Sequence, residues 1–527
     1  MKQILHIFTK DARRFWPEIL ISLAITAAYI CIGPHLWISA TDDRSRLLTN
    51  LAGLLVVLLP VSWWILISRV IHAEKLVGDT QFWITRPYTW KKLLTAKMLF
   101  IATFVVLPFF AAQIILLAEG GFPPQLLLPG LLYNLLLVSV LFMLPLIALS
   151  TITSSFARLT LTILGIFLCF IALVALLAFA SQNHQVGTMN QPLTRGICFA
   201  LVVLALAAAI VVQYALRKVW LARTVLLTLT LLLCLVSFIA PDKYLVNRNY
   251  PLMAANQAAP VQLTYHPDFH SIGTAFYQAS SRMMIQVNAP LTESNTAEGV
   301  ALIPDGIRAE ITASDGSHWK SEWQSTSSGP ILPGGVSPLV KFSIPLAELR
   351  KFQSKQLHLH LSLAYSQAQA EPARTFTFSK GSFTVPDFGI CSPQMGWSAT
   401  GDATGINCIS PLRKPPLTYI ATRWTDSSCS ANAAAPGLSV TGAAWTGELD
   451  RAPAGFNLSP VAKPDIGLSN ADNGSENRKP RFLCPGTPVT FTTFKLVRRT
   501  QTTFDIQDFH LPKTTVIGNQ ISIDQIG

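Results

Sequence analysis

The sequence predicts a polytopic α-helical membrane domain of about seven transmembrane helices, followed by a mainly-β, sandwich-like extracytoplasmic domain. Three observations predict it. The 527-residue chain is 50% hydrophobic and 13% charged, whereas soluble domains average about 25% charged residues. The charge is unevenly spread: residues 1–240 hold 17 Lys/Arg and 7 Asp/Glu, a net of +10, while residues 241–527 hold 23 and 21, a net of +2. Near Pro241 the pattern changes from long apolar runs to short alternating ones. The domains read as residues 1–16, 17–240 and 241–527.

Residues 1–16 predict an interfacial amphipathic helix. Ile4, Leu5, Phe8, Ala12 and Phe15 recur at helical spacing, and Lys2, Lys10, Arg13 and Arg14 supply a basic face. A plain extension of the first span is the alternative. The apolar run that follows is long enough to span and lacks a clear small-residue cleavage site, so it reads as an anchor that is retained.

A span needs about 20 apolar residues to cross roughly 30 Å of hydrocarbon. Suitable uncharged stretches are Ile19–Thr41, Leu47–Ser68, Met98–Ala118, Gly120–Ala157, Leu159–Thr194, Gly196–Leu216 and Thr224–Pro241. The fourth and fifth include loops, with helices near 126–153 and 159–181. With the N-terminus inside, inner segments carry 14 Lys/Arg and outer loops three, Arg44, Arg46 and Arg195. That asymmetry sets the orientation, and an odd span count places everything after Pro241 outside. The basic residues are divided among separate loops and form no single patch, so nucleic acid is not an expected partner; the lipid bilayer is.

Within the spans, Trp16, Trp37, Trp63 and Trp64 mostly lie near span ends, where aromatic belts belong, and Trp63 and Trp64 suit packing between helices as well. Pro60, Pro108 and Pro145 are expected to kink or loosen their helices. Gln113 and Asn134 are polar residues whose simplest use is an interhelical hydrogen bond; a place on a transport path is the alternative. No span centre carries a charge, which argues against an ion or proton pump.

The longest inner connection, His72 to Lys97, is amphipathic, with Leu76, Val77, Phe82, Trp83 and Ile84 among polar residues. Pro87 ends one helical piece, because the residue before a proline is pushed out of the helical region. Thr89 then suits the N-cap of a helix, begun by Trp90-Lys-Lys-Leu-Leu, that re-enters the membrane. An ordinary amphipathic turn is the bland reading of the same residues.

This connection resembles that of ABC-2-type transporter permeases. That family shows a Glu, then Gly-Thr, a pair of large apolar residues, a Pro, a Ser or Thr two residues on, and Leu-Leu with a Lys three residues further. Here the matching positions are Glu74, Gly78 with Thr80 one residue late, Phe82-Trp83, Pro87, Thr89, Leu93-Leu94 and Lys97; the inserted Asp79 is a departure. The match covers about 25 residues, and the wider resemblance covers the membrane half only. It implies that the loop docks on a separate cytoplasmic ABC ATPase, with Glu74, Trp83, Arg86 and Pro87 as contact or shape residues. It also implies a second permease copy or homologue and a bacterial inner membrane. The chain has no Gly-x-x-x-x-Gly-Lys-Ser/Thr loop, so it carries no cofactor of its own, and ATP would sit on the partner subunit.

Beyond Pro241, Leu357-His-Leu-His-Leu-Ser-Leu-Ala-Tyr365 alternates with period two, the mark of a half-buried strand. Further strands are expected at 261–265, 283–288, 307–313, 339–344, 374–385, 417–424 and 489–498. One short helix is expected at 345–352. Pro-, Gly-, Ser- and Asn-rich loops between them suggest an antiparallel sandwich, with 425–480 a long loop or looser subdomain. Cys391, Cys408, Cys429 and Cys484 suit two disulfides in an oxidising compartment. Of the three connectivities, 391–408 with 429–484 is the reading adopted. No Cys-x-x-Cys pair suggests zinc. His358 and His360 share one strand face, more simply a solvated face than a metal site. No catalytic constellation such as Gly-x-Ser-x-Gly or His-Glu-x-x-His is present.

The expected function is therefore the permease subunit of an ATP-driven exporter, not an enzyme in itself. The alternative is a membrane-anchored extracytoplasmic binding or scaffold protein, for which a stiff docking loop and seven spans would be superfluous.

Overall fold

The computed structural model describes residues 2–37, 43–74, 89–181, 192–239, 250–252, 263–265, 284–293, 299–325, 339–352, 355–377, 382–385, 389–395, 403–411, 419–425, 439–444, 458–462, 465–467, 486, 488–509, 511, 513–517 and 520–524. Its N-terminal part is helical. An amphipathic α1 (Lys2–Arg14) leads through Phe15 into α2 (Trp16–Ile32), whose Pro17 sits in the first turn, where a missing N–H costs nothing. A 3₁₀ turn (Gly33–Leu36) ends that rod. The chain returns along α3 (Asp43–His72).

The third span is α4 (Trp90–Ile101) and α5 (Leu107–Glu119), joined by a π-helical turn, Ala102–Val106. The fourth is α6 (Pro124–Val138) and α7 (Leu144–Ile152), joined by a second π turn, Ser139–Met143. Then come α8 (Phe156–Ser181), α9 (Pro192–Leu216) and α10 (Val219–Ile239). Among the described residues five segments are long and apolar enough to cross a membrane: Trp16–Leu36, Arg46–His72, Trp90–Glu119, Leu127–Ile152 and Phe199–Leu216. Two more helices, α8 and α10, have shorter described apolar stretches, Phe156–Cys169 and Val219–Leu229.

The prolines act differently from one another. Pro108 and Pro145 are each the second residue after a π turn. A proline lacks the N–H owed to the carbonyl four residues earlier, and its ring crowds that carbonyl; the widened turn makes the room. Pro60 instead lies inside the unbroken α3.

Trp63 fills the middle of the bundle, buried with its ring 5.0 Å from Phe109 and 6.2 Å from Phe142. Trp16, by contrast, is exposed. The turn from α5 to α6 closes as a Schellman motif: Phe122 N–H bonds Leu117 O, and Gly121 N–H bonds Ala118 O. Gly121 takes φ +73°, which a side chain would strain. Phe122 and Leu117 pack in the same apolar cluster, the hydrophobic contact that accompanies this cap.

The C-terminal region is rich in antiparallel strands. In order they are β1 (Leu263–Tyr265), β2 (Met284–Glu293), β3 (Val300–Ala313), β4 (His318–Lys320), β5 (Gln324–Ser325), β6 (Leu339–Pro345), β7 (Leu357–Ala370), β8 (Arg374–Thr377) and β9 (Phe383–Val385). They continue as β10 (Gly389–Met395), β11 (Ala403–Pro411), β12 (Tyr419–Thr425), β13 (Ser439–Ala444), β14 (Val461–Ala462), β15 (Asp465–Gly467), β16 (Pro488–Phe509), β17 (Lys513–Ile517) and β18 (Gln520–Asp524). One helix, α11 (Leu346–Phe352), lies between β6 and β7.

The largest sheet runs β13-β12-β16-β7-β3-β4, with β5 added on β3 and β8 on β16. A three-stranded sheet, β1-β2-β6, supplies a second layer. One core joins them: Ile307, Ile311, Leu359 and Leu361 from the large sheet, Val287, Phe342 and Ile344 from the small one, and Leu349 and Phe352 from α11. The alternation of β7 explains its place, since Leu357, Leu359, Leu361 and Leu363 are buried while His358 is exposed.

Three expectations change here. The predicted strand 374–385 is two strands, β8 and β9, in different sheets. The loop-rich 425–480 contains β13, β14 and β15 among its described residues. The hairpin of β10 and β11 was not foreseen, because its Gly, Pro and Cys content hides the alternation.

Candidate functional site

The end of the bundle where α1 lies holds a buried ionic cluster. Helix α1 is tied across the third span by Phe8, which stacks on Phe104 at 5.7 Å and meets Phe100 edge-on at 6.3 Å. Lys92 Nζ donates to Gln3 Oε1 at 2.6 Å near the start of that contact. One turn beyond Phe8, the apolar face of α1 turns Asp11 inward.

Lys97 of α4 donates to Asp11 Oδ2 at 2.7 Å and to the Val70 carbonyl of α3 at 2.9 Å. Both charged side chains are 1% exposed. Lys10, one residue earlier on α1, reaches Glu74 Oε1 at 3.0 Å. Glu74 follows the C-terminus of α3 and is buried. Tyr214 and Gln213 of α9 are buried too, and Tyr214 lies within electrostatic reach of both carboxylates. The cluster is thus two ammonium groups against two carboxylates, with Lys97, Asp11 and Glu74 buried and Lys10 reaching in from the surface.

Further contacts hold the same end together. Arg69 of α3 pairs with Glu18 of α2, and its guanidinium lies 5.9 Å from the Phe15 ring centroid. His72 Nε2 is 3.2 Å from Thr153 Oγ1, which ties α3 to the turn before α8.

A buried ion pair seldom adds net stability over apolar packing, but losing one partner strands the other charge. What this arrangement does is fix position. Glu74 and Lys97 flank the connection between the second and third spans, and α1 grips both ends of it.

Of the residues named from sequence, Glu74 and Lys97 come together through α1. Thr89 occupies the N-cap of α4 in an extended conformation, but its side chain makes no capping bond, contrary to expectation. Gly78, Thr80, Phe82, Trp83, Arg86 and Pro87 lie outside the described residues. Asp11 and Lys10 were missed. The signal was present: Asp11 is the one acidic residue among 1–16, and it is spaced by four from Ile7 and from Phe15, on the apolar side.

Among the described residues Gln113 bonds no other helix. Its Nε2 donates to the Leu458 carbonyl of the strand-rich region at 2.6 Å. Asn134 is fully buried.

In the strand-rich region Cys391 and Cys408 are disulfide-bonded across the β10–β11 hairpin; Cys429 and Cys484 lie outside the described residues. His360 Nδ1 is 2.7 Å and His358 Nε2 3.4 Å from Asp505 Oδ1 on the neighbouring β16. Among the described residues no three His, Cys, Asp or Glu side chains group as a metal site.

Fold and cluster together define a polytopic helical membrane protein with a strand-rich C-terminal region, its N-terminal helix clamped to the connection between the second and third spans. Comparison with known protein families, with curated proteins and with solved structures finds no match.

Proposed function

We propose that this chain is the permease subunit of an ABC-2-type transporter, driven by a separate cytoplasmic ATPase that grips the segment between the second and third spans. One observation carries the reading: Glu74 and Lys97, at either side of that segment, are tied to α1 by Lys10 and Asp11. A push on the segment would be passed through stiff, paired contacts to α1, to α3 through the Val70 carbonyl, and towards α9 beside Tyr214. Allosteric transmission needs such discrete, rigid connections. The charge asymmetry of the loops supports a cytoplasmic position for this end, and the disulfide supports an outside position for the strand-rich region. ATP belongs to the partner, and a second permease copy would complete the pore.

The test is recovery of an ABC-type ATPase with the tagged full-length protein drawn from its native membranes. Trp83→Ala and Arg86→Ala should each lower recovery while leaving the amount of chain in the membrane unchanged. Equal recovery with both would overturn the docking assignment. A topology reporter inserted between residues 75 and 88 should report the cytoplasmic face.

A further inference from the structure

At the opposite end of the bundle, the strand-rich region reaches into the helices. The Leu458 carbonyl accepts two hydrogen bonds from membrane helices, from Tyr29 Oη at 3.0 Å and from Gln113 Nε2 at 2.6 Å. Trp37 Nε1 donates to Ser459 Oγ at 3.3 Å. Leu458 is 6% exposed and belongs to the same buried cluster as Tyr29, Phe109 and Leu116. Pro460 is buried as well. Two consecutive residues from the far part of the chain, Leu458 and Ser459, therefore meet α2, α5 and Trp37 at the end of the 3₁₀ turn, with Pro460 following them.

Two things show that this seat is a cleft rather than plain core. Its apolar walls carry three polar groups that helix packing alone would not need: a tyrosine, a glutamine and an indole all point their hydrogen-bonding atoms at the inserted segment. The segment also leaves the seat incompletely used. Gln113 is 2% exposed, and its Oε1 has no hydrogen-bond partner among the described residues. An amide whose donor side alone is satisfied is a costly thing to bury. It suits a cleft whose contents change.

The segment is held from behind. β14 begins at Val461, directly after Pro460, and pairs with Ser410 and Pro411 of β11. β11 is joined to β10 by the Cys391–Cys408 disulfide. One register step from that bond, Ile390 and Ile409 pair across the hairpin. Both pack on the cluster of Leu117, Phe122, Leu127 and Leu131 at the α5–α6 turn. A stapled hairpin is thus seated on the rim, and the residues directly before its partner strand β14 enter the cleft.

We propose that residues 458–460 are a plug: a built-in peptide that closes a polar cleft at this end of the bundle, held by Tyr29, Gln113 and Trp37. The cleft is consequently a site for an apolar group bearing a hydrogen-bond acceptor, which a ligand could present once the plug withdraws. This stands whether or not an ATPase docks at the other end.

The experiment uses the full chain, purified in detergent, with Cys31, Cys169, Cys198 and Cys234 replaced by Ser. Leu116→Cys reports the cleft, and Val105→Cys, buried further along the same span, reports the bundle core. Each is treated with a small polar maleimide, with residues 458–460 intact or changed to three glycines. With the plug intact both thiols should be protected. With it changed, Leu116→Cys should react at least about tenfold faster, as loss of the buried Leu458 side chain and of the Ser459 hydroxyl bonded by Trp37 implies, while Val105→Cys stays protected. Unchanged protection at Leu116→Cys would overturn the proposal, because the segment would then close nothing. Equal exposure of both thiols would overturn it too, because the segment would then be part of the bundle's core. Tyr29→Phe with Gln113→Leu, which removes the two donors while keeping the packing, should reproduce the glycine result in weaker form.

Discussion

Lys97 and Asp11 are 86 residues apart in sequence, yet their charged atoms lie 2.7 Å apart in a place where neither side chain is more than 1% exposed. A pair so enclosed is coupled: each charge is tolerable only because the other is there.

Replacing one member alone, as Asp11→Asn or Lys97→Met, should cost about 3–5 kcal/mol of stability. The double substitution Asp11→Leu with Lys97→Met should cost much less than the sum of the two single changes, since no charge is left stranded. Thermal unfolding of the detergent-solubilised chain, run as a double-mutant cycle, measures this. Additive losses would mean that the two residues are not partners.

Lys10 and Glu74 offer a contrast on the same helix. The Lys10 side chain is 46% exposed, so water screens the pair, and Lys10→Ala should cost no more than about 1 kcal/mol. Glu74→Ala should cost more than Lys10→Ala, because it empties a buried position. The same unfolding measurement ranks the two.

Glu310 on β3 provides a pH probe in the strand-rich region. Hydrogen bonds from Lys320 and His318 hold its carboxyl down to about 2, from an ordinary value of 4.5. Because the folded value is depressed, the contribution is fully present above the unfolded value near 4.5 and is lost as pH falls through about 2. Glu310→Gln should therefore flatten the pH dependence of stability in that window and lower stability near pH 7 by the same amount, a small one because water screens a group this near the surface. Denaturant unfolding at stepped pH values reads it directly.

The Cys391–Cys408 bond closes a loop with a sequence separation of 17. Loops of this length are stabilised by about 3 kcal/mol through restriction of the unfolded chain. Reduction, or Cys391→Ser with Cys408→Ser, should loosen the hairpin and with it the Ile390–Ile409 contact on the bundle. Limited proteolysis between β10 and β11, before and after reduction, should show faster cleavage in the reduced chain.

The helical half was legible because length and apolarity alone specify a span, and the seven stretches read from sequence each coincide with a helix. The π turns were not legible. Pro108 and Pro145 announced a disturbance but not its form, and Pro60, with the same local signal, causes no break. In the strand-rich half, β7 was readable because its leucines alternate without interruption. β10 and β11 carry Cys, Pro and Gly at positions where pairing, not propensity, decides the conformation. The cluster at Asp11 was half readable. Glu74 and Lys97 stood out by their place in the loop pattern, whereas Asp11 needed the third dimension to reveal that the helix turns it inward. Gln113 was recognised as unusual, but its partner lies 345 positions away, beyond what local spacing conveys.

Strand β16, with 22 residues, pairs with β8 and β12 along its first part and with β7 along the remainder. At about 3.3 Å per residue its contour runs roughly 70 Å, more than twice the thickness of a bilayer's hydrocarbon. Among the described strands it alone joins β12 and β8 to β7, so the two sides of the large sheet are held to each other through its unbroken backbone.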